Sequence, residues 1–356
     1  MDKVLKIGIL GCGNIAQIRY LPSIQNIPGI QTQGIYDVNP TLLKKLSHQY
    51  NTPYFSSVEE LLSSDIEAVV ICTPPASHKD LSIKSLNAGK HVLIEKPVSL
   101  DSNDLLEIKE AAKKSGKVVM ALPFNNYPYL KLCKQSLESG LIGKVVSLDG
   151  NMSHRGPGHA AWYYDDTKNI WGVTGDLGIY IVSTFIYLQG KIIGAFADMS
   201  TLQPQRVGID NALINVTIKD SCNALFRWSN GVGGTMRCNY NTGSRPGTNA
   251  WDIRVYGTEG IIFLNFFSSD IPMVIYSPSK CPKGFQPISY CGLETCYAPE
   301  PINTDMCLDI VSSFRDIILE EDFSLLSGND LESQYWTLRT IEALFQSAKE
   351  KRWVSI

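Results

Sequence analysis

The sequence has no long hydrophobic run and no excess of charge of one sign. No stretch of about 18 or more apolar residues occurs, so we expect no membrane-spanning helix. Gly8, Gly11 and Gly13 interrupt the apolar N-terminal run, so we expect no secretory signal peptide and a cytoplasmic protein. The 32 basic and 35 acidic residues leave a formal net charge of −3, which argues against nucleic acid or a membrane surface as a partner.

Metal-ligand spacings are absent as well. The nine cysteines include no Cys-x-x-Cys pair, and the histidines form no His-x-x-x-His pair. One group remains as a conceivable metal site, namely Cys281, Cys291, Cys296 and Cys307. Since it lacks close ligand spacing, we expect reduced thiols and no bound metal.

Length and composition indicate a globular protein of two domains. The 356 residues exceed one ordinary core, and 44% of them are hydrophobic, 19% charged, with a mean hydropathy of −0.04. These values are typical of a folded chain and not of a disordered or collagenous one.

The first third of the chain alternates short β-branched runs with longer amphipathic stretches, which is typical of βαβ units. The predicted strands are 4–10, 31–37, 67–73, 91–95 and 118–122. The predicted helices are 15–26, 41–50, 77–88 and 102–115. Gly89 and Gly116 follow the last two helices, where a left-handed cap residue is favoured. This pattern predicts an α/β fold with a doubly wound parallel sheet, a Rossmann domain over residues 1–123.

The remainder, residues 124–356, has a different pattern. A helix over 130–139 precedes the run 141–153, and further strand-like runs follow one another without intervening helices. These runs are 212–218, 223–229, 233–240 and 251–257. They predict an α+β domain with an open, mainly antiparallel sheet. The segment 268–301, rich in Pro, Ser, Gly and Cys, is predicted to be irregular, and 305–319 and 331–351 to be closing helices. No internal repeat occurs.

The turn after the first strand matches the dinucleotide-binding pattern G-x-G-x-x-A over residues 11–16. The first glycine permits the tight bend, the second lets the backbone approach a pyrophosphate, and the third small residue lets helix pack on strand. The diphosphate is then expected at the helix N-terminus. The residues predicted to bind the cofactor here are Gly11, Cys12, Gly13, Asn14 and Ile15. The alternative is a glycine-rich turn without a ligand.

Asp37 ends the second predicted strand, at the spacing of an acid that binds the ribose hydroxyls. A carboxylate there repels a 2′-phosphate, and Val38, Asn39 and Pro40 supply no arginine to receive one. The sequence therefore favours NAD over NADP. Asp37 can also cap the following helix, and the two roles are compatible.

Three further motifs bring the chain close to a known family: Thr-Pro-Pro-Ala-Ser-His over 73–78, Glu-Lys-Pro over 95–97 and Gly-Asp-Leu-Gly-Ile-Tyr over 175–180. With the junction segment 139–145, they resemble the Gfo/Idh/MocA oxidoreductases, which include glucose–fructose oxidoreductase and inositol dehydrogenase. The resemblance spans nearly the whole chain. It implies NAD, a carbohydrate, cyclitol or polyol substrate, and a homodimer or homotetramer. It adds to the cofactor site Thr73, Pro74, Pro75, His78, Glu95 and Lys96.

The resemblance also implies catalytic roles. Lys96 matches the catalytic lysine of the Glu-Lys-Pro motif, with Pro97 orienting it, and Asp176 matches an acidic residue beside the substrate. The chain departs from the family at Tyr180, where many members have histidine, and at Ser183, where a second aspartate is common. We expect a subgroup with tyrosine at this position, because a phenol can give or take a proton.

We expect Tyr180 to be the general acid/base, Lys96 to polarise the reacting oxygen or share the proton, and Asp176 to hold Lys96 or a substrate hydroxyl. The spacing of Asp176 and Tyr180 places both on one face of a predicted helix beginning near Gly175. The alternative for Tyr180 is a core tyrosine among apolar neighbours.

Substrate contacts are expected from two further segments. The polar and aromatic loop 152–165 offers Trp162 for stacking on a sugar face, and Arg155, His154 or His159 for its oxygens. Asn125 belongs to the segment 124–128, which stands in place of the family's Asn-Tyr-Arg-Phe-like segment. The residues predicted to bind substrate are Lys96, Asn125, Arg155, Trp162, Asp176 and Tyr180. For the loop, the alternative is an exposed segment anchored by one tryptophan.

The predicted activity is hydride transfer between nicotinamide and a secondary alcohol or ketone of a sugar, glycoside or cyclitol. A second possibility is tightly bound NAD used for transient oxidation in glycoside cleavage. A third is a non-catalytic NAD-binding relative, suggested by Tyr180 and Ser183 and opposed by the intact Lys96 and Asp176.

Overall fold

The structure is a computed structural model. It describes residues 3–158, 161–208, 211–242, 251–265, 271–277, 281–290, 293–299 and 306–356. Among these residues, no helix has the length and apolar content needed to cross a membrane.

The chain divides into two compact units. Unit 1 comprises Met1–Tyr127 and Asp305–Tyr335, and unit 2 comprises Pro128–Thr304 and Trp336–Ile356. Long-range hydrogen bonds join the returning segment to the rest of unit 1. The Arg315 guanidinium donates to the carbonyl of Pro28 over 2.8 Å, and the Ala121 N–H donates to the carbonyl of Asn329 over 2.8 Å.

The sheet of unit 1 is parallel, with strand order β2-β1-β3-β4-β5. Its strands are β1 (Leu5–Leu10), β2 (Ile30–Tyr36), β3 (Ala68–Ile71), β4 (His91–Ile94) and β5 (Val119–Ala121). The near-continuous apolar runs of β1 and β3 are buried, as expected for strands covered on both faces. The predicted parallel Rossmann sheet is confirmed.

The α-helices are α1 (Leu21–Asn26), α2 (Pro40–Tyr50), α3 (Val58–Ser63), α4 (His78–Asn87), α5 (Asp104–Ser115), α6 (Pro128–Glu138), α7 (Ile179–Gln189), α8 (Met306–Leu319) and α9 (Leu331–Glu350). Gly116 caps α5 at φ 67°, as predicted. The prediction missed α3, although its signal is present: the Ser57 hydroxyl accepts from the Glu60 N–H, the contact of a helix N-cap.

The helix after the glycine-rich turn differs from the predicted α-helix over 15–26. Its first part, Ala16–Tyr20, is a π-helical turn that continues into α1. Pro22 lies at the start of α1 and has no N–H to donate to the helical ladder. Single π-helical turns occur frequently at functional sites.

Unit 2 contains a large mixed sheet and a small two-stranded one. Its strands are β6 (Val145–Ser153), β7 (Gly194–Ser200), β8 (Gln205–Val207), β9 (Leu213–Asn215), β10 (Ser221–Arg227), β11 (Gly233–Asn239), β12 (Trp251–Gly257), β13 (Ile261–Asn265), β14 (Met273–Tyr276), β15 (Phe285–Tyr290), β16 (Leu293–Pro299) and β17 (Val354–Ser355).

Within the described residues, the large sheet has the order β15-β16-β14-β13-β12-β6-β11-β10-β7-β17, and β8 pairs with β9 separately. β6 and β11 run parallel, while the other paired neighbours in the large sheet are antiparallel. The predicted mainly antiparallel sheet is therefore confirmed.

The prediction that segment 268–301 is irregular is wrong for its described residues, which contain β14, β15 and β16. The segment is strand-forming because it pairs: Ile275 lies opposite Tyr297, and Tyr276 opposite Cys296. Pro287 is tolerated because β15 is the edge strand of the sheet.

α7 packs on the large sheet. A side chain at Gly150 of β6 would place its Cβ 2.3 Å from the Ile181 Cγ2 atom, so only glycine permits this approach. The Phe185 ring contacts the Phe226 ring edge-on, with centroids 5.9 Å apart. This packing fixes the helix that carries Tyr180.

Candidate active site

The glycine-rich turn has the backbone that a dinucleotide site needs. Gly11 has φ +87°, and a Cβ there would lie 2.8 Å from the Thr73 nitrogen. Gly13 is exposed, and a Cβ there would meet no atom within 4 Å. The first glycine of the turn therefore lies close to the backbone that follows β3, whereas the second has open space beside it. An added methyl group at Gly13 would fill the space that the backbone leaves for a pyrophosphate.

Asp37 is bonded to this turn. Its Oδ2 accepts from the Cys12 N–H over 2.7 Å, and its Oδ1 accepts from the Asn39 N–H over 2.8 Å. Burial, with the charge of Asp37, raises the pKa of the Cys12 thiol to about 12. The thiol is therefore protonated near neutral pH, which argues against a nucleophilic role for Cys12.

The loop after β3 is organised by hydrogen bonds. The Ser77 hydroxyl donates to Thr73 Oγ1 over 2.7 Å. Pro74 is exposed, Pro75 opens a short 3-10 turn, and His78 begins α4 with no exposed surface. Its ring nitrogens lie 2.9 Å from the Pro97 carbonyl oxygen and 2.7 Å from that of Thr73. His78 thus joins the loop after β3 to the loop after β4, and its predicted contact with the cofactor stays a prediction.

Glu95 is a buried carboxylate with three partners. Its Oε1 accepts from the Arg19 guanidinium and from the Tyr20 hydroxyl, each over 2.8 Å. Its Oε2 accepts from the Lys96 N–H over 3.0 Å. Burial and the Glu95 charge raise the pKa of Tyr20 well above its usual value, so the phenol stays a donor. Lys96 is half-buried and precedes Pro97 through a cis peptide bond.

The sequence analysis did not select Arg19 and Tyr20. They lie on the π-helical turn that follows the glycine-rich turn. Their common contact with Glu95 links the predicted pyrophosphate site to the Glu-Lys-Pro loop within unit 1. The sequence indicated a role for them only through their position on the first helical turns after the glycine-rich turn.

In unit 2, Asp176 lies on a π-helical turn, Thr174–Gly178, that leads directly into α7. The predicted α-helix beginning near Gly175 is therefore corrected in its first turn. Asp176 Oδ2 accepts from the Tyr240 hydroxyl over 2.5 Å. The sequence analysis placed Tyr240 in a strand-like run but gave it no role.

Tyr180 lies in the first turn of α7 and is half-buried. Its ring meets the Trp251 ring edge-on, with centroids 5.3 Å apart. Ser183, on the same helix, is buried. Tyr180 is therefore neither a fully buried core residue nor a fully exposed one, and its place in the proton path stays a prediction.

The loop 152–165 presents Trp162 at 38% exposure, stacked on Tyr163 with centroids 4.0 Å apart. A groove of about 700 Å³ lies beside Trp162 within unit 2, and its lining includes Asp165, Thr167, Asn215 and Thr217. The Arg155 side chain is exposed.

His154 is half-buried, and its Nδ1 accepts from the Gly156 N–H over 2.8 Å. His159 lies outside the described residues.

Asn125 is buried within unit 1. Its side-chain nitrogen donates to the Gly328 carbonyl over 3.0 Å, and its N–H donates to Asn329 Oδ1 over 2.7 Å. With 1% of its surface exposed, this side chain supports the fold of unit 1. Its predicted contact with substrate stays a prediction.

Among the described residues, no group of three or more histidine, cysteine or acidic side chains could hold a metal ion. Of the four cysteines considered from the sequence, Cys281 is exposed and Cys296 is buried. Cys291 and the side chain of Cys307 lie outside the described part of the chain.

The parallel sheet, the glycine-rich turn and Asp37 directly after β2 define a Rossmann domain of the dinucleotide-binding class. A family model described as an oxidoreductase family with an NAD-binding Rossmann fold matches residues 5–122, and a Gfo/Idh/MocA C-terminal domain model matches residues 130–263. These matches cover more than half of the chain, which belongs to the Gfo/Idh/MocA oxidoreductase family. Its first unit is an NAD-binding Rossmann domain.

Two similar proteins are named as dehydrogenases. The levoglucosan dehydrogenase of Pseudarthrobacter phenanthrenivorans is 24% identical over 351 residues, covering 90% of this chain and 88% of that protein. The myo-inositol 2-dehydrogenase of Thermotoga maritima is 26% identical over 270 residues, covering 73% of this chain and 75% of that protein.

A solved structure of levoglucosan dehydrogenase in complex with NADH has a TM-score of 0.83 to this chain, with 22% identity and 99% coverage of both chains. The aldose-aldose oxidoreductase of Caulobacter crescentus has a TM-score of 0.79 at 20% identity, covering 99% of this chain and 100% of that one. At these identities the likeness shows the fold alone.

Proposed function

We propose that the protein catalyses hydride transfer between NAD and a secondary alcohol or ketone of a sugar, glycoside or cyclitol. The observation that carries this proposal is the open glycine-rich turn at Gly13, joined through the Cys12 N–H to Asp37. Residues 1–123 bind the cofactor in this proposal, and residues 124–356 bind the substrate. The names of the relatives support a carbohydrate or cyclitol substrate.

NAD rather than NADP is the proposed cofactor. The carboxylate of Asp37 accepts hydrogen bonds from ribose hydroxyls and repels a 2′-phosphate. The following residues, Val38, Asn39 and Pro40, contain no cation to neutralise one. The pyrophosphate lies at the turn of residues 11–15, and the loops after β3 and β4 complete the site. The further cofactor contacts in this proposal are Thr73, Pro74, Pro75, His78, Glu95 and Lys96.

The protein's own groups handle the proton and align the substrate. Bound NAD supplies the hydride acceptor or donor. Lys96 polarises the reacting oxygen, Tyr180 exchanges its proton, and Asp176 holds a substrate hydroxyl or the Lys96 ammonium. Tyrosine in place of the family's usual histidine assigns the chain to a subgroup in which a phenol is the acid/base.

The substrate contacts proposed in unit 2 begin at Trp162. Its exposed ring offers a platform for the apolar face of a sugar, and the adjoining groove of about 700 Å³ falls within the usual range for small-molecule sites. Arg155 and Asn125 are the other proposed contacts. We further propose a cytoplasmic homodimer or homotetramer, as the family resemblance implies.

The test is NADH formation with a panel of sugars, glycosides and inositols. We expect Tyr180→Phe and Lys96→Ala each to lower kcat by about 10²- to 10⁴-fold with the Kd for NAD unchanged, because proton transfer contributes rate enhancement of that size. The matched controls are Tyr54→Phe and Lys45→Ala, exposed residues of unit 1 that have no part in the proposed site. These should retain wild-type activity.

Two results would contradict the proposal. Unchanged kcat in Tyr180→Phe would remove the phenol from the proton path. A wild type that binds NAD tightly, retains it through purification and turns over no alcohol or ketone would instead favour transient oxidation by a retained cofactor.

A further inference from the structure

Tyr240 directly follows β11 and contacts Asp176, a residue of the proposed substrate site. Its hydroxyl donates to Asp176 Oδ2 over 2.5 Å, and its side chain has no exposed surface. Its backbone N–H donates to the carbonyl of Asp220 over 2.9 Å. The bond to Asp176 therefore joins the end of a central strand to the π-helical turn at the start of α7.

The Tyr240 ring is packed on several sides. The His154 ring lies 5.4 Å away and the Tyr164 ring 6.0 Å away, measured between centroids. A side chain at Gly156 would place its Cβ 3.2 Å from the Tyr240 Cβ, so the loop backbone also lies close to this side chain. A phenol held in this way presents its hydroxyl at one defined place.

The charges around Tyr240 keep it a hydrogen-bond donor. Burial and the negative charge of Asp176 raise the pKa of Tyr240 well above its usual value, so the phenol stays protonated at any working pH. A donor to a carboxylate favours the ionised carboxylate. Titratable groups that face Tyr240 or Asp176 include His154, Tyr163, Tyr164 and Cys238.

We propose that Tyr240 is a positioning residue for the reaction, whose hydroxyl holds the Asp176 carboxylate in one orientation and in its ionised form. This inference rests on the proposed function, because that proposal assigns Asp176 to the substrate site. An oriented carboxylate accepts a hydrogen bond from a substrate hydroxyl without first having to turn. Tyr240 acts on the substrate only through Asp176.

The test compares the wild type, Tyr240→Phe, Asp176→Asn and the double variant. Tyr240→Phe removes the hydroxyl and keeps the buried ring. We expect kcat/KM to fall about tenfold to hundredfold, as for a lost hydrogen bond to a charged group, and its acid limb to move to higher pH. In the Asp176→Asn background the same change should have little further effect, because coupled residues are not additive. Tyr187→Phe, a buried tyrosine of α7, is the matched control and should retain activity.

A second measurement needs no turnover. Carboxyl NMR of protein labelled in its aspartates, with the Asp176 signal identified from Asp176→Asn, should show this carboxyl titrating at higher pH in Tyr240→Phe than in the wild type. An unmoved titration would overturn the inference. So would a loss of activity in Tyr240→Phe with an unmoved acid limb and a full effect in the Asp176→Asn background, which indicates a structural role. A wild type without turnover would overturn the proposed function, whereas the titration would still decide whether Tyr240 controls Asp176.

Discussion

Tyr20 donates its hydroxyl to Glu95 Oε1 over 2.8 Å. The bond connects the π-helical turn after the glycine-rich turn to the loop that carries Lys96. The Arg19 guanidinium binds the same oxygen, so a buried ion pair and a buried phenol share one acceptor. The Lys96 backbone is attached to the other oxygen of that carboxylate. Glu95 therefore joins the backbone of Lys96 to two side chains of the π-helical turn Ala16–Tyr20.

Tyr20→Phe should destabilise the protein, because it removes one of the hydrogen bonds that hold the Glu95 carboxylate beside the Lys96 backbone. A buried hydrogen bond to a charged group is lost, so we expect the free energy of unfolding to fall by about 1.5–3 kcal/mol. Glu95→Gln should cost more, about 3–5 kcal/mol, because it removes the negative charge that faces the largely buried Arg19 guanidinium. Urea unfolding measures both values.

Tyr54→Phe provides the control for this pair, because Tyr54 is 47% exposed and its hydroxyl can bond to water. We expect it to change stability by less than about 0.5 kcal/mol. Equal stability of Tyr20→Phe and Tyr54→Phe would show that the bond to Glu95 contributes nothing.

Asp37 should determine cofactor choice. Asp37→Ala removes the acceptor of the ribose hydroxyls and the charge that repels a 2′-phosphate, so the Kd for NAD should rise about tenfold or more while discrimination against NADP decreases. Asp37→Asn keeps an oxygen for the Cys12 N–H and removes only the charge. Titration calorimetry with both nucleotides measures the ratio. If the two variants discriminate against NADP as strongly as the wild type does, Asp37 does not select the cofactor.

The local patterns of the sequence were enough for the parallel sheet, because β1 and β3 are short apolar runs flanked by amphipathic helices. They also located Asp37 directly after β2, but not the bond that its carboxylate accepts from the Cys12 N–H. The π-helical turns were not predictable from the sequence. A hydrophobic pattern over so few residues does not distinguish an N–H that bonds to the carbonyl four residues earlier from one that bonds to the carbonyl five residues earlier.

Contacts between distant parts of the chain were the larger omission. Tyr20 and Glu95 are 75 positions apart, and Asp176 and Tyr240 are 64 apart. No periodicity in either segment indicates the other, since each pair is brought together only by the folded chain. Pro287 shows the converse case, because its effect depends on β15 being an edge strand, which is a property of the assembled sheet.

His91 should make stability depend on pH. Burial, with the positive charge of Lys117, lowers the pKa of His91 from 6.5 to about 4. The unfolded chain therefore binds this proton more readily than the folded one below about pH 6.5, so the stability contributed by neutral His91 is full above that pH and is lost as the pH falls toward 4.

His91→Asn should reduce the loss of stability between neutral pH and pH 5, because asparagine does not titrate. In the wild type His91 Nδ1 accepts a hydrogen bond from the Val118 N–H, and the asparagine side chain offers an oxygen to replace it. Urea unfolding of both proteins at the two pH values gives the comparison. His78, whose pKa burial also lowers, is present in both and cancels. Identical pH dependence in the two proteins would contradict the assignment.

Gly11 and Gly13 should respond differently to the same substitution. Gly11→Ala forces a Cβ onto a residue with φ +87° and against the backbone of Thr73, so we expect a loss of about 1–3 kcal/mol in unfolding free energy. Gly13→Ala meets no atom of the chain within 4 Å, so its stability should change by less than about 0.5 kcal/mol. Its methyl group nevertheless occupies the space proposed for the pyrophosphate, so the Kd for NAD should rise about tenfold or more.

Thermal unfolding and NAD titration of the two variants measure both properties. A stable Gly13→Ala variant that binds NAD as tightly as the wild type would exclude this turn as the pyrophosphate site, because a bound pyrophosphate there could not share the space with the added methyl group.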